Sequence, residues 1–573
     1  RRSPLREPMG ARLPSRIPPA RPPGRPLPRH PPHRPHRHRR CRNPCRHQTL
    51  PQAGKRRRIH RQLRPPQHLL PNHRKKQRQK AAARFSAQPP PRRKRHRLLP
   101  KPQKSGRHRR LFKRTRLPRP ALSRRPHHDR AQRKQLFEAS WMRTDGGAHN
   151  TNEILTRIAL LRAKKAALLG FKNYAEWSLQ RTMVKTPATI AKFFKDLVPA
   201  SVGKAQAEAK EIQAQIIQTG GKFTLEPYDW NFYAEQVRKA KYDLDENEIK
   251  PYFELMNVLK NGVFYAATKL YGITFKERKD IPVYHPDVVV YELLEEDGTP
   301  LGLFYGDFYA RESKRGGAWM SNFIDQSKLL GTKPVIYNVC NYVKPADGKP
   351  ALLTYDEVTT LFHEFGHALH GFFANQEYAS LSGTAVARDF VEFPSQFNEH
   401  WALYPDILKN YAVHYQTKQA IPQALIDKIK NASTFNEGYS FTEVLAAANL
   451  DLQWHTIPAD TIINSVNDFE RKALERTGLL VKEVPPRYRS SYFAHIFGGG
   501  YGAGYYSYQW TEMLCHDAYQ WFVENGGLSR ANGQRFRELV LSKGNTMDYE
   551  KMYLNFRGKA PAIEPLLKAR GLQ

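Results

Sequence analysis

Residues 360–373 read TLFHEFGHALHGFF. The fold turns on whether the HEFGH at their centre is a metal-binding helix or a core helix that happens to carry two histidines. Just upstream, Thr354 and Glu357 have the T-x-x-E spacing of a capping box, which predicts a helix from Tyr355 onward. Val358, Leu361, Phe362, Phe365, Ala368, Leu369 and Phe372 then recur at helical spacing and predict a broad buried face. His363 and His367 lie four apart, so they point the same way one turn along the helix and can meet one Zn2+. Glu364 lies beside them, where its carboxylate can reach a metal-bound water without ligating the metal. A plain core helix would leave that carboxylate unpaired, at a cost of several kcal/mol. A metal offsets the cost. A catalytic zinc needs a third protein ligand and an open position. The stretch VARDFVEFPSQFNEHW (386–401) offers Asp389, Glu392, Glu399 and His400, and spacing does not choose between them.

The formal net charge of +42 over 573 residues suggests a nucleic-acid binder, but its distribution does not. Residues 1–135 hold 45 of the 94 Lys and Arg, only two acids (Glu7 and Asp129), and 25 of the 43 prolines. Residues 136–573 carry 49 basic and 50 acidic side chains, close to neutrality. The first segment has no Trp or Tyr and no sustained apolar period, so it is expected to be disordered and dispensable to the folded part. Runs such as RPPGRPLPRHPPHRPHRHRR read as GC-rich coding DNA translated in a wrong frame. A basic nucleic-acid-binding tail and a transit peptide are the alternatives. Cys41, Cys45 and His47 lack a second ligand pair at zinc-site spacing and read as chance.

The remainder, 136–573, reads as one mainly helical catalytic region. Ile154, Ile158, Leu161, Ala166 and Leu168 predict a buried stripe on a helix ending at Gly170. Further helical patterns cover 187–218, 230–270, 400–432 and 440–456, the last opened by a Ser440/Glu443 capping box. Two β-branched and aromatic runs around Asp297-Gly298 predict a hairpin within 287–310, and PVIYNVCNYV (334–343) a third strand. A small antiparallel sheet is therefore expected beside the HEFGH helix. Cys340 and Cys515 offer no disulfide framework, which fits a reducing compartment. No run of about 18 apolar residues exists, so no membrane span is expected.

Three strings, FHEFGHALHGFF, GTAVARDFVEFPSQFNEHW and FAHIFGGGYGAGYYSYQW, resemble the thimet oligopeptidase family of zinc metallopeptidases. The resemblance runs from about Leu136 to the C-terminus. It implies a zincin-type helical fold with a deep substrate channel, whose first wall would be an upstream helical region that this chain does not show. It implies one Zn2+ per chain held by His363, His367 and Glu392, with Glu364 as general base. It also implies that His495, Tyr501 and Tyr508 contact the substrate, with Tyr508 and His495 stabilising the developing oxyanion. The strand near 303–310 or 335–342 would pair with the extended substrate backbone. The expected activity is release of C-terminal dipeptides from short peptides by a cytoplasmic monomer that binds neither membrane nor, through its folded region, nucleic acid. Endo-acting cleavage within the same family is the alternative, and nucleic-acid binding through residues 1–135 a distant third.

Overall fold

The computed structural model describes residues 126–573 apart from Leu244. The disorder expected for the earlier residues, and the chance reading of Cys41, Cys45 and His47, concern positions outside the described residues. The boundary expected at 135 falls inside a helix, Pro126–Trp141. Arg130 and Arg133 reach across from it to Asp229 at 3.0 and 3.1 Å, and the Asp229 side chain is fully buried. Their guanidinium groups also lie over the rings of Phe223 and Phe232. Arg130 and Arg133 are thus held against the structure that follows. Replacing both arginines by alanine is expected to cost about 3–5 kcal/mol, because a buried carboxylate is left without a cation. Urea unfolding measures it; a loss below about 1 kcal/mol would mean that solvent screens Asp229. Deleting residues 1–134 removes both arginines and should show the same loss.

The HEFGH helix spans Tyr355–Phe372. Its capping box forms as the spacing implies: Glu357 N donates to Thr354 Oγ1 at 3.1 Å, and Thr354 N to Glu357 Oε2 at 2.8 Å. All seven apolar positions of the expected face are buried. Two glycines let neighbours approach this helix. A Cβ on Gly366 would lie 2.7 Å from Ser395 Cα, so the helix Phe393–Glu399 packs here backbone to backbone. A Cβ on Gly371 would meet Ile336 Cδ1 at 2.5 Å, on the sheet.

That sheet has five strands: β1 (Thr274–Glu277), β2 (Val289–Leu294), β3 (Pro300–Tyr309), β4 (Trp319–Ile324) and β5 (Val335–Tyr342). Their order is β1-β2-β3-β5-β4. The expected hairpin is β2–β3, turned at Gly298 with φ +81°. The sheet is mixed, not antiparallel: β3 and β5 run parallel, with Tyr305 opposite Tyr337. The chain reverses into β4 and reverses again into β5, and two reversals restore the direction of β3. The order corrects a second expectation. β3 is flanked by β2 and β5 over 303–306, and β5 by β3 and β4 over 335–339, so those stretches have no side free for a substrate strand; among the five strands the edges are β1 and β4.

Several helical expectations also change. Pro187–Gln218 forms as expected, but 230–270 is broken at Asp243, which takes φ +44°, and again near Pro251. Within it, Val258–Phe264 is a π-helical segment. The pattern at 400–432 divides into Pro405–Tyr411 and Gln423–Ala432. The helix Glu437–His455 starts three residues before Ser440, so Ser440 caps nothing and Glu443 pairs with Arg487 instead. In Asn152–Leu168 the buried residues are Leu155, Ala159, Ala163 and Ala166, while Ile154, Leu161 and Leu168 face solvent. The small alanine face packs with Trp454 and Ile457, where larger side chains would not fit.

Candidate metal centre and active site

His363 and His367 project from the same face of their helix, rings edge to face at 4.9 Å. Glu392 lies between the short helix Arg388–Val391 and Phe393–Glu399. Its Oε2 stands 3.3 Å from His363 Nε2 and 3.1 Å from His367 Nε2. Two contacts fix the approach: the backbone packing at Gly366, and a 2.7 Å hydrogen bond from Asn398 Nδ2 to Phe362 O. Ligand atoms about 2.0–2.2 Å from a tetrahedral zinc are about 3.4 Å apart, so this donor set fits a metal with little movement. The three side chains remain 12 to 24 % exposed, which leaves the centre open to solvent on one side.

The electrostatics agree with a cation site. Burial disfavours a charged His363, yet its hydrogen bonds to Glu392 and Glu399 hold its pKa well above the usual imidazole range. Burial likewise opposes ionised Glu392, but the two histidines hold its carboxyl well below the usual range. Glu399 does not reach the centre. Its Oε1 accepts from His363 Nδ1 at 2.6 Å, which turns Nε2 inward. Glu364 is buried, its Oε2 lacks a protein hydrogen-bond partner, and burial pushes its pKa up. The remaining two candidates serve elsewhere. Asp389 accepts from Met183 N, Val184 N and Tyr506 Oη, and His400 Nε2 faces Cys515 Sγ. Nor does His370 join the centre. Burial pushes its pKa down to about 3, and neither ring nitrogen has a protein partner.

Tyr508 at the start of the helix Ser507–Glu524, Tyr501 in the turn before it and His495 on the short helix Ala494–Phe497 come together. Tyr508 Oη donates to Tyr501 Oη at 3.2 Å, their rings stack, and His495 meets Tyr501 edge-on at 5.8 Å. Burial, Tyr501 and the charge of Glu392 all raise the Tyr508 pKa, so its phenol stays protonated beside the centre. Asp451 fastens this turn by accepting from Ala503 N and Tyr505 N at 2.9 and 2.8 Å. Two supporting residues escape sequence reasoning. Arg388 lies 3.7 Å above the Tyr501 ring, and Asp451 is embedded in an apolar helix. Only Asp451 leaves a signal, as a buried acid among alanines and leucines.

The chain belongs to peptidase family M3, whose profile matches residues 125–572. Membership implies a metal cofactor. The dipeptidyl carboxypeptidase of Escherichia coli (strain K12) is 56% identical over 445 residues, which cover 78% of this chain and 65% of that protein. The dipeptidyl carboxypeptidase of Salmonella typhimurium is 55% identical with the same coverage. Oligopeptidase A of E. coli is 36% identical over 460 residues, covering 78% of this chain and 66% of that protein. The chain thus spans just under two thirds of the length of these relatives. No helix among the described residues is long and apolar enough to cross a membrane.

Proposed function

We propose that this chain is a zinc-dependent peptidyl-dipeptidase that removes C-terminal dipeptides from short peptides. One observation carries the reading: His363, His367 and Glu392 converge on one point, with Glu364 buried beside them. The 56% identity to a dipeptidyl carboxypeptidase supports the substrate class. His363, His367 and Glu392 would hold the metal, and two imidazoles with one carboxylate form a donor set that zinc takes in peptidases. A zinc held there would supply Lewis acidity to the scissile carbonyl and would lower the pKa of water to about 7. Glu364 takes the proton of the attacking water on its carboxylate and passes it to the leaving amine nitrogen. Its burial raises its basicity toward that task. The protonated phenol of Tyr508 donates to the oxyanion, with His495 in support. Tyr501, under Arg388, holds Tyr508 in place. β4, which packs against the HEFGH helix, presents the edge a substrate backbone can pair with. Cys340 and Cys515 are free buried thiols, in keeping with the cytoplasm as the site of action.

The second reading is endo-acting cleavage, favoured by the identity to oligopeptidase A. An N-blocked peptide with a free C-terminal carboxylate, and the same peptide as its amide, separate the two. A peptidyl-dipeptidase releases the terminal dipeptide from the acid and cleaves the amide far more slowly. Equal internal cleavage of both, read by mass spectrometry, would establish the second reading.

A further inference from the structure

A second cluster of soft donors stands apart from the first. Cys515 and His516 lie on the helix Ser507–Glu524, and His400 begins the turn His400–Leu403. We propose that His400, Cys515 and His516 form a second metal site, for an ion of the zinc class. One ligand atom from each lies within 4.8 Å of the others. His400 Nε2 is 3.3 Å from Cys515 Sγ. A tetrahedral zinc with bonds of about 2.3 Å to sulfur and 2.0–2.1 Å to nitrogen sets those atoms about 3.6 Å apart. The two imidazoles meet edge to face at 4.9 Å and 85°, the geometry of the His363–His367 pair. Tyr519 stacks on His400 at 3.9 Å and fixes the plane of its ring. A hydrogen bond between Cys515 and His400 would satisfy those two alone. His516 adds a third donor facing the same cavity.

That cavity, of about 400 Å³, gives an ion a way in. Glu512 Oε1 lies 3.6 Å from His516 Nε2, where it can orient the ring or complete the set, although Arg570 also holds it. Glu399 lines the cavity as well, between the two sites, but it is engaged with His363. Binding would convert Cys515 to its thiolate and release the thiol proton to solvent. The second site differs from the first in its sulfur, and that difference can be measured.

The probe is Co2+ titrated into the metal-free full-length chain, read by metal analysis and by the near-ultraviolet charge-transfer absorption of a cobalt thiolate. The wild-type chain is expected to gain two cobalt ions, one of them with this band. Cys515→Ser should abolish the band and one equivalent of cobalt, and His516→Gln should weaken that equivalent at least tenfold. His367→Ala should keep the band, and so should Cys41→Ser/Cys45→Ser. Circular dichroism of each variant confirms that it is folded. A wild-type chain without the band, or a band that survives in folded Cys515→Ser, overturns the site.

Discussion

Glu364→Gln is expected to lower kcat by about 10²–10⁴-fold while leaving the bound metal in place. The substitution keeps the shape of the side chain and removes its ability to take a proton. Glu364 is 4% exposed and its Oε2 has no protein hydrogen-bond partner, so the amide leaves the packing around it largely unchanged. None of His363, His367 and Glu392 is altered. KM should therefore change little, because the missing interaction belongs to the transition state. Steady-state kinetics beside metal analysis makes the comparison. A variant with full metal and near wild-type kcat would remove Glu364 from its role.

Tyr508→Phe is the second large effect, about 10²–10³-fold in kcat with KM nearly unchanged. The phenol is protonated and stacked on Tyr501, so the deletion removes a donor without disturbing the ring. Its donor points at Tyr501 Oη, and in the proposed mechanism it would turn to the oxyanion as charge develops there. A donor needed only at that moment should act on kcat. A raised KM at constant kcat would make Tyr508 a ground-state contact. Tyr501→Phe should have a smaller effect, since it removes the partner and not the donor.

How far the sequence could be read depended on how local each signal was. The HEFGH helix was fully legible, because its cap and its apolar face lie within nineteen consecutive residues, 354–372. The sheet was legible only in its hairpin and β5. β4 (WMSNFI) is half exposed without clear alternation, and missing it concealed the second chain reversal and with it the parallel β3–β5 pair. In Asn152–Leu168 two interleaved stripes share the helical period. Size favoured Ile154, Leu161 and Leu168, whereas packing with Trp454 selected the alanines. At the centre, spacing left four candidates for the third ligand position. Glu392 was singled out only by resemblance, since its place depends on the close approach at Gly366. The contact of Glu399 with His363 and the position of Arg388 over Tyr501 arise from chain segments far apart in sequence.

The most direct test of a metal centre built from His363, His367 and Glu392 is the zinc content of the folded full-length chain, measured against His363→Ala and His367→Ala. Each variant is expected to hold one zinc fewer per chain than wild type and to lose peptide hydrolysis with it. Folded variants that keep the wild-type zinc content would contradict the assignment.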